Sequence, residues 1–250
     1  MNQPCTILSE RLQPDSTNPD RPAQSRRKYE RCTALKRIIH ALAATLLLVN
    51  FYLVANAQAL SPEEQRIVKY VDAHSAESVS LLEKVVNIES ATQNTAGVKR
   101  VGEVFKVEFA ALGMTARWID MPPEMNRGGH LLAETRSGRG KRILLLGHID
   151  TVLQGEHWRR DGNQAYGNGS SDMKGGDIVL LYALKALADV GALKDMRVIV
   201  MLTGDEEAAG RPVEISRGDM IAAAKRSDAA LSFEAARGVD ATVGRRGSSS

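Results

Sequence analysis

The sequence LLLGHID at residues 144–150 predicts a buried β-strand that ends in a histidine and an aspartate. Two later segments also carry acidic residues where an element ends: GSSDMKGG at residues 169–176 is a glycine-rich turn, and DEE at residues 205–207 follows an apolar run. Because α/β sheets present functional groups at the carboxyl ends of their strands, we expect the three segments to meet at one edge. Imidazole and carboxylate groups, without thiolates, are ligands that zinc and similar divalent ions accept. The sequence therefore predicts a metal site.

Helical and strand-like patterns alternate around this stretch, which indicates an α/β protein with one main core. Ser61 followed by proline is a helix start, and Gly113 is a helix stop. Because alternating strands and helices build parallel sheets, we expect a mostly parallel sheet with helices on both faces. The predicted helices cover residues 62–89 (one or two helices), 97–112, 177–190 and 212–226, and the predicted strands include residues 114–119, 197–202, 229–233 and 241–245.

Two further apolar runs, residues 131–135 and 143–146, flank the turn sequence SGRG at residues 137–140. Strands joined by a short glycine-containing turn typically pair as a β-hairpin. We therefore expect these two strands to be neighbours in the sheet.

The first 57 residues have the pattern of an export signal. Residues 38–54 form an apolar run without Lys, Arg, Asp or Glu, and Ala55-Asn56-Ala57 is a small-x-small cleavage sequence. We expect a disordered basic leader over residues 1–37, the h-region and cleavage site over residues 38–57, and a mature protein that is periplasmic or secreted. The alternative is an uncleaved membrane anchor, since the run approaches the roughly 17–20 residues that span a bilayer.

Charge and cysteine content exclude two function classes. The formal net charge of +3 reflects +4 over residues 1–40, which leaves −1 for the remainder, so we expect no nucleic-acid surface. Both cysteines, Cys5 and Cys32, precede the predicted cleavage point. We expect neither disulfides nor thiol chemistry in the mature domain.

His148 and Asp150 are two residues apart, so on an extended chain both side chains project to the same side. A histidine that binds a metal normally has its other ring nitrogen held by an acceptor, and Asp150 is the nearest candidate for that role. The alternative is a histidine at a strand end with a capping aspartate.

Asp172 lies in a glycine-rich turn before a helix, where a carboxylate can bridge two cations. The alternatives are a helix cap or a phosphate-binding loop, although the phosphate-binding pattern requires Ser or Thr after the lysine and here Gly175 follows Lys174. Glu206 and Glu207 are adjacent and point in different directions, so one can bind metal while the other transfers a proton. Glu234 ends a further apolar strand.

Four motifs stand in the sequence: GHIDTV at residues 147–152, YGNGSSDMKGG at residues 166–176, TGDEE at residues 203–207 and SFE at residues 232–234. Together they resemble the di-zinc metallopeptidase family that includes glutamate carboxypeptidase, the aminoacylases and acetylornithine deacetylase. The likeness covers residues 62–250 and is greatest to exported glutamate carboxypeptidases. It implies a zinc exopeptidase-like catalytic domain that hydrolyses an amide next to a free carboxylate in a small peptide or N-acyl amino acid. An N-acyl-amino-acid deacylase or a dipeptidase is an alternative activity within the family.

The resemblance also implies roles for single residues. His148 and Glu234 would bind one Zn²⁺, Glu207 would bind a second, and Asp172 would bridge the two ions, with Co²⁺ or Mn²⁺ as possible substitutes. Glu206 would be the general base, and Asp150 would orient His148.

In the family, a lid or dimerisation domain follows, and the chain then returns with a last histidine ligand and an arginine for the substrate carboxylate. We therefore expect residues 58–250 to be the amino-terminal part of such an enzyme, with a homodimer possible through the later domain. Two alternatives remain: a non-catalytic metal-binding fragment, and a nucleotide-binding α/β module with phosphate at residues 167–176.

Overall fold

The computed structural model describes residues 37–40, 42, 60–152 and 154–235. The chain divides into two compact units, Met1–Leu60 and Ser61–Ser250. In the first unit, residues 37–40 and 42 are helical and exposed. The cleavage site, the rest of the predicted leader, both cysteines and the predicted strand at residues 241–245 lie outside the described residues. Within the described ranges, no helix has the length and apolar character needed to cross a membrane.

The second unit contains six α-helices and seven strands over its described residues, with two short 3-10 turns at Pro123–Met125 and Leu193–Asp195. The helices are α1 (Pro62–Ala73), α2 (Ser75–Val86), α3 (Thr95–Ala111), α4 (Lys174–Asp189), α5 (Val213–Ser216) and α6 (Gly218–Lys225). The strands are β1 (Thr115–Ile119), β2 (His130–Glu134), β3 (Arg139–His148), β4 (Arg159–Asp161), β5 (Gln164–Tyr166), β6 (Met196–Thr203) and β7 (Ala229–Ser232).

The predicted helix boundaries agree with the local chemistry. Ser61 accepts a hydrogen bond from the backbone N–H of Glu64, and the Glu64 carboxylate accepts one from the backbone N–H of Ser61, which forms a complete capping box. The pattern over residues 62–89 forms two helices, separated at His74. After α3, Gly113 adopts a φ of 78°, a left-handed conformation that glycine adopts without strain.

Five strands form the main sheet, in the order β1-β2-β6-β3-β7, and β4 and β5 form a separate antiparallel pair. Strands β6 and β7 both run parallel to β3. In contrast, β1 pairs antiparallel with β2, and β2 pairs antiparallel with β6. The predicted α/β class is confirmed, and the sheet is mixed, with its parallel half formed by β6, β3 and β7.

The expected hairpin between β2 and β3 is wrong, because β6 lies between these strands and pairs with both. The physical reason is that β6 is apolar on both faces and is buried along Val198–Thr203, so it occupies a central position. The turn packs against the start of β6: a Cβ atom on Gly138 would lie 2.4 Å from the carbonyl oxygen of Met196. A short turn therefore joins two strands that are separated by the width of a third.

Side chains that alternate along β6 build two cores. Val198, Val200 and Leu202 belong to the larger one, which α2, α3 and α4 cover. Ile199 and Met201 face the other side, where α6 contributes to a smaller cluster. Burial of each such side chain contributes roughly 1.5–3 kcal/mol to folding, so this packing fixes the position of the central strands and of the residues that follow them.

Candidate metal centre

The three parallel strands end at the same edge of the sheet. His148 is the last residue of β3 and is in register with Thr203, the last residue of β6. Glu206 and Glu207 follow β6, and Glu234 lies two residues beyond the end of β7. The parallel register therefore brings residues that are far apart in sequence to one place.

The imidazole of His148 lies at the centre of a group of carboxylates. Its Nε2 atom is 3.1 Å from Oδ1 of Asp172, 3.5 Å from Oε1 of Glu234 and 3.9 Å from Oε2 of Glu206. The His148 side chain is only 1% exposed, whereas the side chains of Asp172 and Glu206 are 63% and 51% exposed. A buried histidine thus faces acidic groups that line an accessible surface.

Two overlapping sets of donors have the spacing of a metal site. One contains His148, Asp172 and Glu234, and the other contains His148, Glu206 and Glu207; within each set the ligand atoms lie within 4.8 Å of one another. One imidazole and four carboxylates form a donor set that suits Zn²⁺, and carboxylate-rich sites also accept Co²⁺ or Mn²⁺. The residues that the structure brings together therefore fit a divalent cation.

The protein alone holds these groups in protonation states that a cation would change. Burial lowers the pKa of His148, but the hydrogen bond and charge of Asp150, together with the charge of Glu234, outweigh it and raise the pKa to about 10. Burial and the charge of Asp172 raise the pKa of Glu207 to about 7. Protons therefore occupy this cluster near neutral pH, and a metal ion that binds here must displace them.

Asp150 contacts the histidine and also the segment that follows β6. The Nδ1 atom of His148 is 3.1 Å from the backbone oxygen of Asp150 and 3.5 Å from its Oδ1 atom. The carboxylate also accepts hydrogen bonds from the backbone N–H groups of Glu206 (3.0 Å) and Glu207 (3.1 Å) and from the hydroxyl of Thr92 (2.6 Å). Burial would raise the pKa of Asp150, but the hydrogen bonds from His148 and Thr92 hold it below its ordinary value. The carboxylate thus connects the end of β3 to the segment after β6.

Sequence reasoning missed the contribution of Thr92. Thr92 lies 58 residues before Asp150 and belongs to no metal-ligand pattern. The structure places it there because the segment around Ala91 forms an isolated parallel bridge with Thr151. A contact between segments this distant in sequence has no local signal.

The glycine-rich turn that carries Asp172 packs tightly against its surroundings. Gly169 has a φ of 80°, and a Cβ atom on Gly176 would lie 1.9 Å from the carbonyl oxygen of Phe233. Side chains are excluded at Gly176 because the start of α4 meets the end of β7. The turn that carries Asp172 is therefore in backbone contact with the segment that carries Glu234.

Lys174 is fully buried beneath this turn. Its ammonium group donates hydrogen bonds of 3.0 Å to the carbonyl oxygens of Val85 and Ile88, at the C-terminal end of α2. Burial lowers its pKa to about 8. A lysine directed into the protein in this way supports a structural role, and it does not support the alternative of a phosphate-binding loop.

Asp177 is a buried carboxyl group that sequence reasoning also missed. It is fully buried, and among the described residues neither of its oxygens has a hydrogen-bond partner. It lies against β3, since a Cβ atom on Gly147 would be 2.0 Å from its Oδ1 atom. Burial raises the pKa of Asp177 well above its ordinary value, so the group favours its neutral form.

Asp205, the first residue of the DEE motif, stabilises the loop that follows. It accepts hydrogen bonds from the backbone N–H of Gly210 (2.8 Å), from the hydroxyl of Ser216 (2.6 Å) and from the guanidinium of Arg217. His130 joins this network, with its Nε2 atom 2.8 Å from the backbone oxygen of Ser216 and its Nδ1 atom accepting from the N–H of Gly204. The loop after Glu206 and Glu207 is thus anchored by a second buried carboxylate.

Known proteins share sequence with this chain. Residues 144–244 match the sequence profile described as Peptidase family M20/M25/M40. The chain is 31% identical to carboxypeptidase G2 of Pseudomonas sp. (strain RS-16) over 202 residues, which cover 78% of this chain and 47% of that protein. The chain therefore spans about half the length of this relative.

Solved structures share the fold. Human carnosine dipeptidase 1 matches with a TM-score of 0.56 and 22% identity, over 67% of this chain and 40% of that chain. An M20 family metallo-carboxypeptidase from Sulfolobus solfataricus, Sso-CP2, matches with a TM-score of 0.52 and 21% identity, over 63% of this chain and 37% of that chain. At these identities the matches establish the architecture of the domain.

Proposed function

We propose that the protein is a metal-dependent exopeptidase or amidohydrolase, because residues 144–244 match the profile of peptidase family M20/M25/M40 and the cluster around His148 fits a divalent cation. The family resemblance read from the motifs is confirmed. The observation that carries the proposal is the approach of Asp172 and Glu234 to Nε2 of His148, at 3.1 and 3.5 Å. These three side chains come from different segments and meet only in the folded protein.

In this proposal His148 and Glu234 hold one Zn²⁺, Glu207 holds a second, and Asp172 lies between them. The presence of Asp172 close to His148, and of Glu207 in the second donor set, supports this division. Bound zinc would polarise the amide carbonyl of the substrate and lower the pKa of water. Co²⁺ or Mn²⁺ would occupy the same donors.

Glu206 is the candidate general base. Its side chain is about half exposed, as a group that must reach substrate requires, while its backbone N–H is fixed by Asp150. A carboxylate placed in this way can take a proton from the attacking water and return it to the leaving nitrogen. Asp150 would hold both the imidazole of His148 and the backbone of the two glutamates during these transfers.

The proposed substrate is a small peptide or N-acyl amino acid whose scissile amide lies next to a free carboxylate. The similarity to carboxypeptidase G2 over 202 residues supports a carboxypeptidase of the glutamate type, with a deacylase or dipeptidase as the alternative. The basic leader and its apolar run support export to the periplasm or secretion. A homodimer is also part of this proposal.

Metal binding and turnover by the full chain test the proposal. We expect about two Zn²⁺ per chain by elemental analysis, and hydrolysis of N-acyl-glutamate. The variant Asp172→Asn should lose metal, whereas Glu206→Gln should keep metal and lose turnover. One bound ion without turnover would support the non-catalytic alternative, and ATP binding without metal binding would support the nucleotide-binding alternative.

A further inference from the structure

The hydroxyl of Thr92 donates the shortest of the hydrogen bonds described for the Asp150 carboxylate, at 2.6 Å, and this contact is buried. It reaches the Oδ2 atom, which also accepts the N–H of Glu207, whereas Oδ1 accepts the N–H of Glu206. Because each carboxylate oxygen accepts a different glutamate N–H, both hydrogen bonds form only at one rotation angle about the Cβ–Cγ bond of Asp150. Among the described residues, Thr92 is the side chain outside the proposed metal cluster that donates a hydrogen bond to this carboxylate.

Thr92 is itself fixed by backbone contacts. Its N–H donates to the carbonyl oxygen of Thr151 (3.2 Å), and the N–H of Thr151 donates to the carbonyl oxygen of Ser90 (3.0 Å). The hydroxyl of Ser90 donates to the carbonyl oxygen of Ile149 (2.9 Å). The segment Ser90 to Thr92 therefore lies along the end of β3 as a rigid support, and it presents one hydroxyl to Asp150.

We propose that Thr92 is a positioning residue for Glu206 and Glu207. Its hydroxyl fixes the rotation of the Asp150 carboxylate, and the carboxylate in turn fixes the backbone from which the two glutamate side chains project. This inference rests on the proposed function where it concerns metal binding, and on the hydrogen bonds alone where it concerns the backbone of the loop.

The substitution Thr92→Val keeps the shape of the side chain and removes the hydroxyl. Thr92→Ser keeps the hydroxyl and should restore wild-type behaviour. Thr135→Val is the matched control, since Thr135 also uses its hydroxyl to bind a neighbouring strand, accepting from the N–H of Val198 at 3.0 Å, but does so away from the metal cluster.

The first measurement is amide hydrogen exchange by NMR on the metal-free full chain. In Thr92→Val we expect the amides of Glu206 and Glu207 to exchange about tenfold faster than in wild type, because a carboxylate that rotates no longer holds them. The amide of Ile149, which donates to the carbonyl oxygen of Thr203 at 2.8 Å, is the internal reference and should change less. Unchanged exchange at both glutamates would overturn the inference, whatever the metal does.

The second measurement is the affinity for Co²⁺ and its visible absorption spectrum. Loss of a group that orients ligands typically weakens metal binding about 10–100-fold, so Thr92→Val should bind Co²⁺ at least tenfold more weakly, with an altered spectrum. Thr92→Ser and Thr135→Val should both match wild type. A purely structural threonine would lower thermal stability in Thr92→Val and leave the affinity and the spectrum unchanged, and that result would overturn a role in metal positioning.

The two measurements separate this inference from the proposed function. If wild type binds no Co²⁺ but the glutamate amides exchange faster in Thr92→Val, the proposed function is wrong and the positioning of the loop by Thr92 stands. If wild type binds Co²⁺ and the amides do not respond, the proposed function stands and the role of Thr92 is wrong.

Discussion

Three segments contribute acids to the cluster around His148, and two of them are held in opposite ways. The segment after β6 is anchored by buried carboxylates, Asp150 and Asp205, whose oxygens accept several hydrogen bonds. The glycine-rich turn before α4 is anchored by a buried ammonium group, Lys174, and it leads to Asp177, whose oxygens have no hydrogen-bond partner among the described residues. A buried carboxylate therefore contributes stability where several hydrogen-bond donors surround it, and it costs free energy where donors are absent.

Asp150→Ala should have the largest effect, because it leaves the N–H groups of Glu206 and Glu207 and the hydroxyl of Thr92 without their acceptor. Hydrogen bonds to charged groups are worth about 1.5–3 kcal/mol each, and part of this is recovered by rearrangement, so we expect a loss of about 3–4 kcal/mol. Urea unfolding measures it. The control Asp120→Ala removes an exposed carboxylate, paired with Lys99, and should cost less than about 1 kcal/mol. Equal losses in both variants would contradict the description of the first segment.

Zinc should stabilise the protein by joining the two segments. At a free concentration one hundred times the dissociation constant, the gain is about 2.7 kcal/mol. Without metal, the native state keeps a proton on Glu207 up to about pH 7 and on His148 up to about pH 10, whereas the unfolded chain releases them near 4.5 and 6.5. The stability contributed by these groups therefore falls as pH rises through these ranges.

Zinc displaces both protons, so the increase in melting temperature should be larger at pH 8 than at pH 6. Calorimetry at the two pH values checks this, with Glu207→Gln as the variant in which the gain is reduced. The same gain at both pH values would show that zinc binds elsewhere.

Lys174→Met should lower the free energy of unfolding by about 2 kcal/mol at pH 7, because the carbonyl oxygens of Val85 and Ile88 lose a charged donor. We expect the glycine-rich turn before α4 to become more flexible, and faster proteolysis near residue 170 would detect this. The control Lys99→Met removes a lysine whose side chain is 47% exposed, and should change stability by at most about 1 kcal/mol. If Lys174→Met is as stable as this control, the ammonium group does not anchor the turn.

Asp177→Asn should have the smallest effect and the opposite sign. Because burial raises the pKa of Asp177, the native state holds a proton that the unfolded chain releases near pH 3.8, and wild type loses stability as pH rises above that value. The neutral amide removes this dependence, and the cost of burying its unpaired N–H groups offsets part of the gain, so the variant should be more stable than wild type by about 1 kcal/mol at pH 7 and lose this advantage near pH 4. Urea unfolding at both pH values measures the difference. A variant that is less stable at pH 7 would show that the carboxylate has a partner.

The parts of the site that follow strand ends could be predicted from the sequence, and the parts that depend on packing between distant segments could not. His148, Glu206, Glu207 and Glu234 all lie at or just beyond the ends of parallel strands, so a local pattern locates them. The glycine-rich turn around Asp172 indicates this residue as a candidate ligand. Thr92 meets Asp150 only through a bridge between loops, which leaves no periodic pattern.

The same distinction holds for the fold. The alternation of Val198 to Leu202 between two cores marks β6 as a strand, but nothing nearby in sequence shows that it lies between β2 and β3. The hairpin expected at residues 137–140 was wrong for this reason, since pairing depends on which strand buries most apolar surface rather than on the length of a turn.

The contact between Gly176 and Phe233 sets the distance between two loops of the cluster. A backbone meets a backbone there, with no side chain between them to adjust, so the gap between the loops that carry Asp172 and Glu234 has little freedom to widen or narrow. If the proposed ion binds between these loops, its radius would be governed in part by Gly176, which provides no ligand, and a side chain added at that position would force the loops apart.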